Sequence, residues 1–298
     1  MNVLIVGNGV QGKKRGKLLK KKLYLSIDKK DKKINFIDND KFDTVFLCVP
    51  EKEKEKLIVK YLNLNKNILV EKPLILKSEK SYKKILSIAR KKKKFLYIAY
   101  NHRFEPSIIK VKKILREKNK IGKIFKIRIF YGNGTAKLVK SSEWQDRIKN
   151  GILFDLGSHI LDIINFLFTD FKLNNFKTFY KKFENKNPDY AQIILNNQIF
   201  TNIEMSYCSW KNSFKLEIIG SKGSIYINNL CKWGQSTLEY HKRISPSGYP
   251  KIDEYKYKKG DPTWKKEHDF LNTINGKFFT NILDEIKIFK FMRKVNKR

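Results

Sequence analysis

Asp155 and His159 stand four residues apart in a stretch where Leu156, Ile160, Ile163 and Leu167 recur at helical spacing. The pair therefore shares one face of a helix. An imidazole with an ordinary pKa of about 6.5 trades a proton near neutrality, and a carboxylate beside it can orient the ring or meet a substrate. Asp162, three residues further on, can do the same. Gly151, just ahead, lets backbone come close to a ligand. The plain alternative is a helix-capping aspartate and a satisfied core histidine. Far upstream, Lys72 stands in Glu71-Lys72-Pro73, directly after the apolar run from Asn67 to Val70. That run reads as a parallel strand, and the carboxyl ends of such strands are where open α/β sheets bind ligands. A lysine there can hydrogen-bond a hydroxyl and stabilise a developing alkoxide. In a chain so rich in lysine, its position singles it out, not its type.

A third constellation opens the chain. Gly7-Asn8-Gly9-Val10-Gln11-Gly12 is a GxGxxG that follows an apolar run, Val3 to Val6, and begins a helical pattern, Gly12 to Lys22. A strand before and a helix after is the context in which this motif binds a dinucleotide. The first glycine permits the tight turn, the second lets a diphosphate approach the backbone, and the third allows close helix–strand packing. The helix N-terminus adds unsatisfied N–H groups and partial positive charge. Asp28 ends the next apolar run, Leu23 to Ile27, where an acid can bind the ribose hydroxyls of NAD. Lys29 and Lys30 can instead accept a 2′-phosphate, which leaves NADP open.

The elements that must position these groups alternate. After the first strand and helix, with Leu18, Leu19 and Leu23 on the inner side, come strands at Leu23 to Ile27, Thr44 to Pro50, Asn67 to Val70 and Phe95 to Tyr100. Helices at Glu51 to Asn63 and Ser78 to Lys94 lie between them. Strands alternating with helices imply a parallel α/β sheet. Only 15 residues separate Asp28 from Thr44, too few for a full crossover helix, so either that helix is reduced or the second strand lies elsewhere. After about residue 104 the pattern changes. A helix from Pro106 to Lys118, a strand from Ile124 to Tyr131 and the helix around Asp155 to Phe168 lead into alternating runs. These span Tyr190 to Leu195, Ile199 to Tyr207, Phe214 to Ile219 and Ser224 to Ile227, and closing helices follow at Glu267 to Ile274 and Asn281 to Val295. Short strands joined by polar turns imply an antiparallel sheet. The expected organisation is a dinucleotide-binding domain over residues 1–103 and an α+β domain over 104–298.

Composition narrows the partners. The net charge is +36, which suggests a nucleic-acid binder. Yet only nine of the 65 basic residues are arginine, whose bidentate fork dominates base and phosphate readout. The lysines are scattered, so no specific nucleic acid is expected; a positive field of this kind attracts anionic substrates. No signal-peptide pattern and no membrane-length apolar run stand out. Three cysteines without CxxC spacing, and no His-x-x-x-His pair, argue against disulfides and a metal site and point to the cytoplasm.

Taken together, the motifs resemble one family. Gly7 to Gly12, the strand ending Cys48-Val49-Pro50, Glu71-Lys72-Pro73, Asn101-His102-Arg103-Phe104, Gly151 and Asp155-x-Gly157-x-His159-x-x-Asp162 are similar, in this order, to those of the glucose–fructose oxidoreductase / inositol dehydrogenase / MocA family. So is Glu217-Ile218-Ile219-Gly220-Ser221-Lys222-Gly223 further on. The resemblance implies a Rossmann domain and a C-terminal domain built on a large, open, mostly antiparallel sheet through which homo-oligomers form. It implies cofactor contacts from Gly7, Asn8, Gly9, Val10, Gln11, Gly12, Asp28, Cys48, Val49, Pro50 and Glu71, and catalysis by Lys72, Asp155 and His159. Hydride would pass between a sugar carbinol carbon and the nicotinamide of NAD or NADP. Asn101, Arg103, Trp144 and Asp162, with Tyr131-Gly132-Asn133-Gly134, look most like members acting on sugars or sugar nucleotides in polysaccharide pathways. Two alternatives go with the family: an enzyme that retains NAD and oxidises transiently to epimerise or cleave a sugar, and a non-catalytic regulatory relative. Two departures stand out. Asn150 replaces the first residue of the family's Gly-Gly pair, and the short link after Asp28 trims the adenosine-side wall.

Overall fold

The computed structural model describes residues 1–28, 31, 37–117, 119–141, 151–168 and 170–296. The chain forms two compact units, Met1–Tyr100 with Lys265–Lys290, and Asn101–Trp264 with the chain from Phe291 on.

The first unit is built on five parallel strands, β1 (Val3–Val6), β2 (Leu23–Ile27), β3 (Thr44–Leu47), β4 (Asn67–Glu71) and β5 (Leu96–Ala99), in the order β2-β1-β3-β4-β5. Val3, Leu4, Ile5, Val45, Leu47, Ile68, Leu69 and Val70 are wholly buried, as parallel strands covered on both faces must be. Helices α1 (Val10–Leu19), α2 (Glu51–Asn63) and α3 (Glu79–Lys91) connect them. The hydroxyl of Ser78 accepts from the N–H of Ser81 and caps α3, which has an acid in its first turn and bases in its last. Leu18, expected on the inner side of α1, is exposed, because Leu19 faces the core instead. Strand order reverses between β1 and β3, the switch point at which open α/β sheets bind ligands.

β2 lies where the sequence places it, so the short link is a reduced crossover. Its described part contributes only a 3-10 turn, Asn39–Lys41, capped by Asp38. Buried Phe42, packed on Tyr24 and Tyr61, anchors the return to β3.

The expected second domain, 104–298, gives up residues 265–290 to this unit. The cause is the edge of the sheet, where β5 would leave backbone groups unpaired. Leu96 N–H donates to the Phe279 carbonyl at 2.9 Å, and the Asn281 amide bonds both the N–H and the carbonyl of Ile98 at 2.8 and 2.9 Å. Tyr97 packs against Phe270 and Phe279.

The second unit begins with a 3-10 turn, Asn101–Phe104, and continues through α4 (Pro106–Arg116), β6 (Ile124–Gly132) and α5 (Ala136–Ser141). A π-helical segment, Leu153–Gly157, runs directly into α6 (Ser158–Leu167). Then come β7 (Phe176–Lys181), β8 (Tyr190–Asn196), β9 (Phe200–Ser206), β10 (Ser213–Gly220), β11 (Gly223–Asn228), β12 (Ser236–Lys242) and β13 (Lys251–Tyr257). With β6 they form an eight-stranded sheet in the order β13-β12-β11-β10-β6-β9-β8-β7, antiparallel except for the β6–β9 pair. Its inner face, with Ile129, Ile193, Ile203, Leu216, Ile225 and Leu238, is buried; α4 and the π-helical segment pack on the sheet. Helices α7 (Pro262–Ile274) and α8 (Ile282–Asn296) close the chain. Among the described residues no helix is long and apolar enough to cross a membrane.

Candidate active site

The glycine turn sits at the switch point of the first unit. Gly7 has φ +102°, and a Cβ there would stand 2.2 Å from the Cys48 carbonyl oxygen. A Cβ on Gly12 would meet the Gly7 carbonyl oxygen at 2.0 Å. Both glycines are therefore demanded by the packing of β1, α1 and β3. Gly9 is different, since a Cβ there meets nothing within 4 Å. Gly9 is also the N-cap of α1, which has no side-chain cap and no acid in its first turn, so backbone donors face outward unanswered. Beside them lies a cavity of about 780 Å³, lined by Gly7, Gly9, Asp28, Cys48, Val49 and Pro50, by Ile37 and Asn39 of the short link, and by Tyr61 of α2. Asp28 accepts from the Asn8 N–H at 3.2 Å. Burial, then the Glu71 carboxylate, pushes the Cys48 thiol up to about 12, so it forms a wall of the cavity and not a nucleophile. An open Gly9, an uncapped helix start and an acid at the end of β2 fit a dinucleotide: diphosphate at the turn, ribose at Asp28. Val10 and Gln11 are exposed at the start of α1. Lys29 and Lys30 lie outside the described residues.

Three buried charges fix the turn that carries Lys72. The ammonium of Lys54, 1% exposed, donates to the Glu71 and Pro73 carbonyl oxygens at 2.7 Å each, and to the Glu51 carboxylate at 3.3 Å. Burial pulls the Lys54 pKa down, and Glu51 and Glu71 oppose the pull. From the other side Arg15 donates through Nε to the Glu71 carboxylate and through a terminal nitrogen to Glu267 at 2.9 Å. Lys72 is thus held by its backbone on both flanks and is half-buried. Lys54→Met would leave two buried carbonyls without their donor, at an expected cost of about 1–3 kcal/mol. A lower urea midpoint at unchanged slope is the readout.

In the second unit His159, 7% exposed, packs its ring on that of His102 at 4.1 Å, with Tyr131 at 6.1 Å. The hydroxyl of Tyr207 donates to the Asp155 carboxylate at 3.2 Å; burial, then Asp155, holds the Tyr207 phenol well above its usual range, so it stays a donor. Asp155 falls within the π-helical segment, where every other residue is buried and it alone is half-exposed. A π turn at that point re-aims the carboxylate relative to a regular helix. Gly157 gives the segment its close seat on β9, where an added Cβ would reach the Met205 sulfur at 3.1 Å.

Arg103 and Asp162, read as separate substrate contacts, instead bind each other. Arg103 Nε donates to both Asp162 oxygens, at 3.0 and 2.8 Å, and a terminal nitrogen donates to one of them. The pair is buried and braces α6 against the turn at 101–104. Asn101 donates to the Thr263 hydroxyl at 2.8 Å. Trp144 and Asn150 lie outside the described residues.

Sequence reasoning missed Arg15, Lys54, Tyr207, Glu105, Lys232 and Glu267. Lys232 Nζ stands 3.2 Å from His102 Nε2 and 3.3 Å from the Tyr131 hydroxyl, over the Trp233 ring at 4.4 Å. Burial draws its pKa down to about 8 against the pull of Asp261, Glu105 and Asp155. The partners that place these residues are for the most part remote in sequence, as Glu71 and Glu267 are for Arg15 and His102 and Tyr131 are for Lys232. Among the described residues no group of His, Cys, Asp and Glu is placed to hold a metal.

A parallel sheet with a glycine turn and an open cavity at its switch point defines a dinucleotide-binding fold. Residues 10–100 match the model of the oxidoreductase family with an NAD-binding Rossmann fold, and residues 108–226 match the GFO/IDH/MocA C-terminal domain. The chain belongs to the Gfo/Idh/MocA oxidoreductase family. It is 30% identical over 181 residues to glucose-6-phosphate 3-dehydrogenase of Bacillus subtilis (strain 168), covering 54% of this chain and 50% of that protein. It is 29% identical over 127 residues to inositol 2-dehydrogenase of Rhizobium meliloti (strain 1021), covering 42% and 36%. The chain thus spans half or less of the length of these curated relatives. Among solved structures, levoglucosan dehydrogenase in complex with NADH and levoglucosan superposes with a TM-score of 0.77 at 17% identity, covering 100% of this chain and 97% of that one. An NAD-binding oxidoreductase from Klebsiella pneumoniae gives 0.79 at 16%, covering 100% and 98%. At such identities the likeness is one of fold.

Proposed function

We propose that the protein is an NAD-dependent dehydrogenase acting on a hydroxyl of a sugar, with a sugar nucleotide or other polysaccharide precursor as substrate. The observation that carries this reading is the setting of Lys72, a lysine held by Lys54 and Arg15 at the carboxyl edge of the sheet that also presents the glycine turn. NAD, when bound, supplies the hydride acceptor. The Lys72 ammonium donates to the hydroxyl oxygen and stabilises negative charge as it develops. His159 removes the hydroxyl proton as general base, and Asp155, held by Tyr207, orients the reacting group. The carbinol carbon gives up its hydride, the oxygen gives up its proton, and a ketone results. A sugar bearing phosphate suits a chain of net charge +36, and one relative carries glucose 6-phosphate in its name. NADP remains an alternative to NAD on the strength of Lys29 and Lys30 beside Asp28. We also propose that copies of the chain associate through the open face of the eight-stranded sheet, which carries Arg128, Phe130, Glu204, Lys215 and Glu217.

Native mass spectrometry of the purified protein tests the reading, by the mass of a retained dinucleotide and by the subunit count. Gly9→Val sharpens it. The fold has room for the side chain, so thermal stability should hold, whereas a diphosphate against the turn does not, and NAD affinity should fall by about 10- to 100-fold, 1.4 kcal/mol per tenfold. Unchanged affinity in a folded Gly9→Val protein would remove the turn from cofactor binding.

A further inference from the structure

Resting on the dehydrogenase reading, we propose that Lys232 sets substrate choice, its ammonium binding an anionic substituent, carboxylate or phosphate, on the sugar. Lys232 sits in a 3-10 turn, Cys231–Trp233, between β11 and β12. The Cys231 N–H donates to the Glu105 carboxylate at 2.6 Å, and its carbonyl accepts from Gly260 N–H at 2.9 Å. Trp233 packs edge-on against Tyr131 at 5.5 Å. A lysine on so fixed a turn is placed, unlike the many solvated lysines of this chain.

An ammonium has three N–H groups. Two are answered, by His102 Nε2 and by the Tyr131 hydroxyl. No carboxylate among the described residues comes within ion-pair distance of Lys232; Asp261, Glu105 and Asp155 act on it only from further off, and Glu105 spends an oxygen on the Cys231 N–H. One N–H of this half-buried ammonium is therefore left over, and a charged acceptor is what would compensate it best. His102, which meets Lys232, stacks on His159, and Tyr131 touches both histidines and the lysine. The spare donor thus lies one side chain away from the proposed base, so an anion bound there belongs to the molecule that His159 deprotonates. A neutral sugar would leave that N–H without a charged acceptor, which turns the lysine into a filter.

The test uses the full chain with three probes: glucose, glucose 6-phosphate and glucuronate. Dissociation constants are read by thermal shift and calorimetry, and turnover with NAD is followed in the same samples. The wild-type protein should bind at least one charged sugar about tenfold or more tighter than glucose, the gain typical of a hydrogen bond to a charged group. Which of the two wins distinguishes phosphate from carboxylate. Lys232→Met should abolish that preference while leaving glucose binding unchanged, Lys232→Gln should match it should Lys232→Met fold poorly, and Lys232→Arg should keep it. Equal losses on charged and neutral sugars would show that Lys232 only props His102, and the proposal would be overturned; so would a wild-type protein without preference. If the charged preference and its loss in Lys232→Met are seen but no sugar reduces NAD, the dehydrogenase reading falls and the anion site stands.

Discussion

His159→Ala is expected to lower turnover of the sugar by about 10²–10⁴ with NAD affinity unchanged, and Lys72→Ala to act similarly, because each removes one half of a proton-and-charge transfer from the hydroxyl. The two losses have different signatures. Without His159 the proton has no acceptor, so added small bases such as imidazole should restore part of the rate. Without Lys72 the developing charge on oxygen is unmatched, and no added base can replace it. If both act on one oxygen, the double variant should lose much less than the product of the single losses, as groups acting as a unit do. NAD affinity should hold in Lys72→Ala because the cavity at the glycine turn is lined by Gly7, Gly9, Asp28 and Pro50 and not by this side chain. Reduction of NAD followed by its absorbance, on a sugar the wild type turns over, is the measurement. Wild-type rates in both variants would take the two residues out of the chemistry.

Much of the fold could be read from the chain because its signals are local. Val3 to Gly12 writes a strand, a tight turn and a helix in ten consecutive residues, and the structure gives each a steric reason. Gly7 and Gly12 have no room for a Cβ, while Gly9 has room that the fold does not use. The helical spacing of Asp155 and His159 is legible in the sequence, but the π-helical turn that carries Asp155 is not, since a 3.6-residue periodicity averages over a single wider turn. Strands β7, β12 and β13 escaped notice for a different reason. Phe176–Lys181 and Lys251–Tyr257 are the two edges of the sheet, with half-exposed or exposed residues throughout, and charged edges of this kind carry little apolar alternation. Ser236–Lys242 alternates correctly but with Ser, Leu and Tyr as its buried positions. What the sequence hides most fully is long-range charge pairing. Arg15 meets carboxylates 56 and 252 positions away, and no spacing rule reaches that far. For the same reason Arg103 and Asp162 read as two ligands for a substrate when they are ligands for each other.

Arg15→Met should destabilise the protein by about 3–5 kcal/mol, the cost of breaking a buried ion pair from one side. The guanidinium is 2% exposed, lies over the Phe46 ring at 5.7 Å, and answers Glu71 and wholly buried Glu267 together. Burial alone would lower its pKa, but the two carboxylates outweigh burial and hold it raised, so the charge is present at every accessible pH. Methionine fills much of the volume and supplies no donor, which strands two carboxylates in the interior. The loss should appear as a lower denaturant midpoint. Adding Glu267→Gln to Arg15→Met should recover part of it, because one of the stranded charges is then gone. Glu267→Gln alone should cost less than Arg15→Met, since Arg15 keeps Glu71. The same network links stability to chemistry. Glu71 immediately precedes Lys72, and helix α7, which carries Glu267, belongs from Lys265 on to the first unit. A folded Arg15→Met protein should therefore also turn over more slowly, with the deficit larger than in any variant of an exposed lysine. A cost under about 1 kcal/mol, within the range of surface pairs, would mean that the two carboxylates find protons or water without Arg15, and that the lysine turn is held by Lys54 alone.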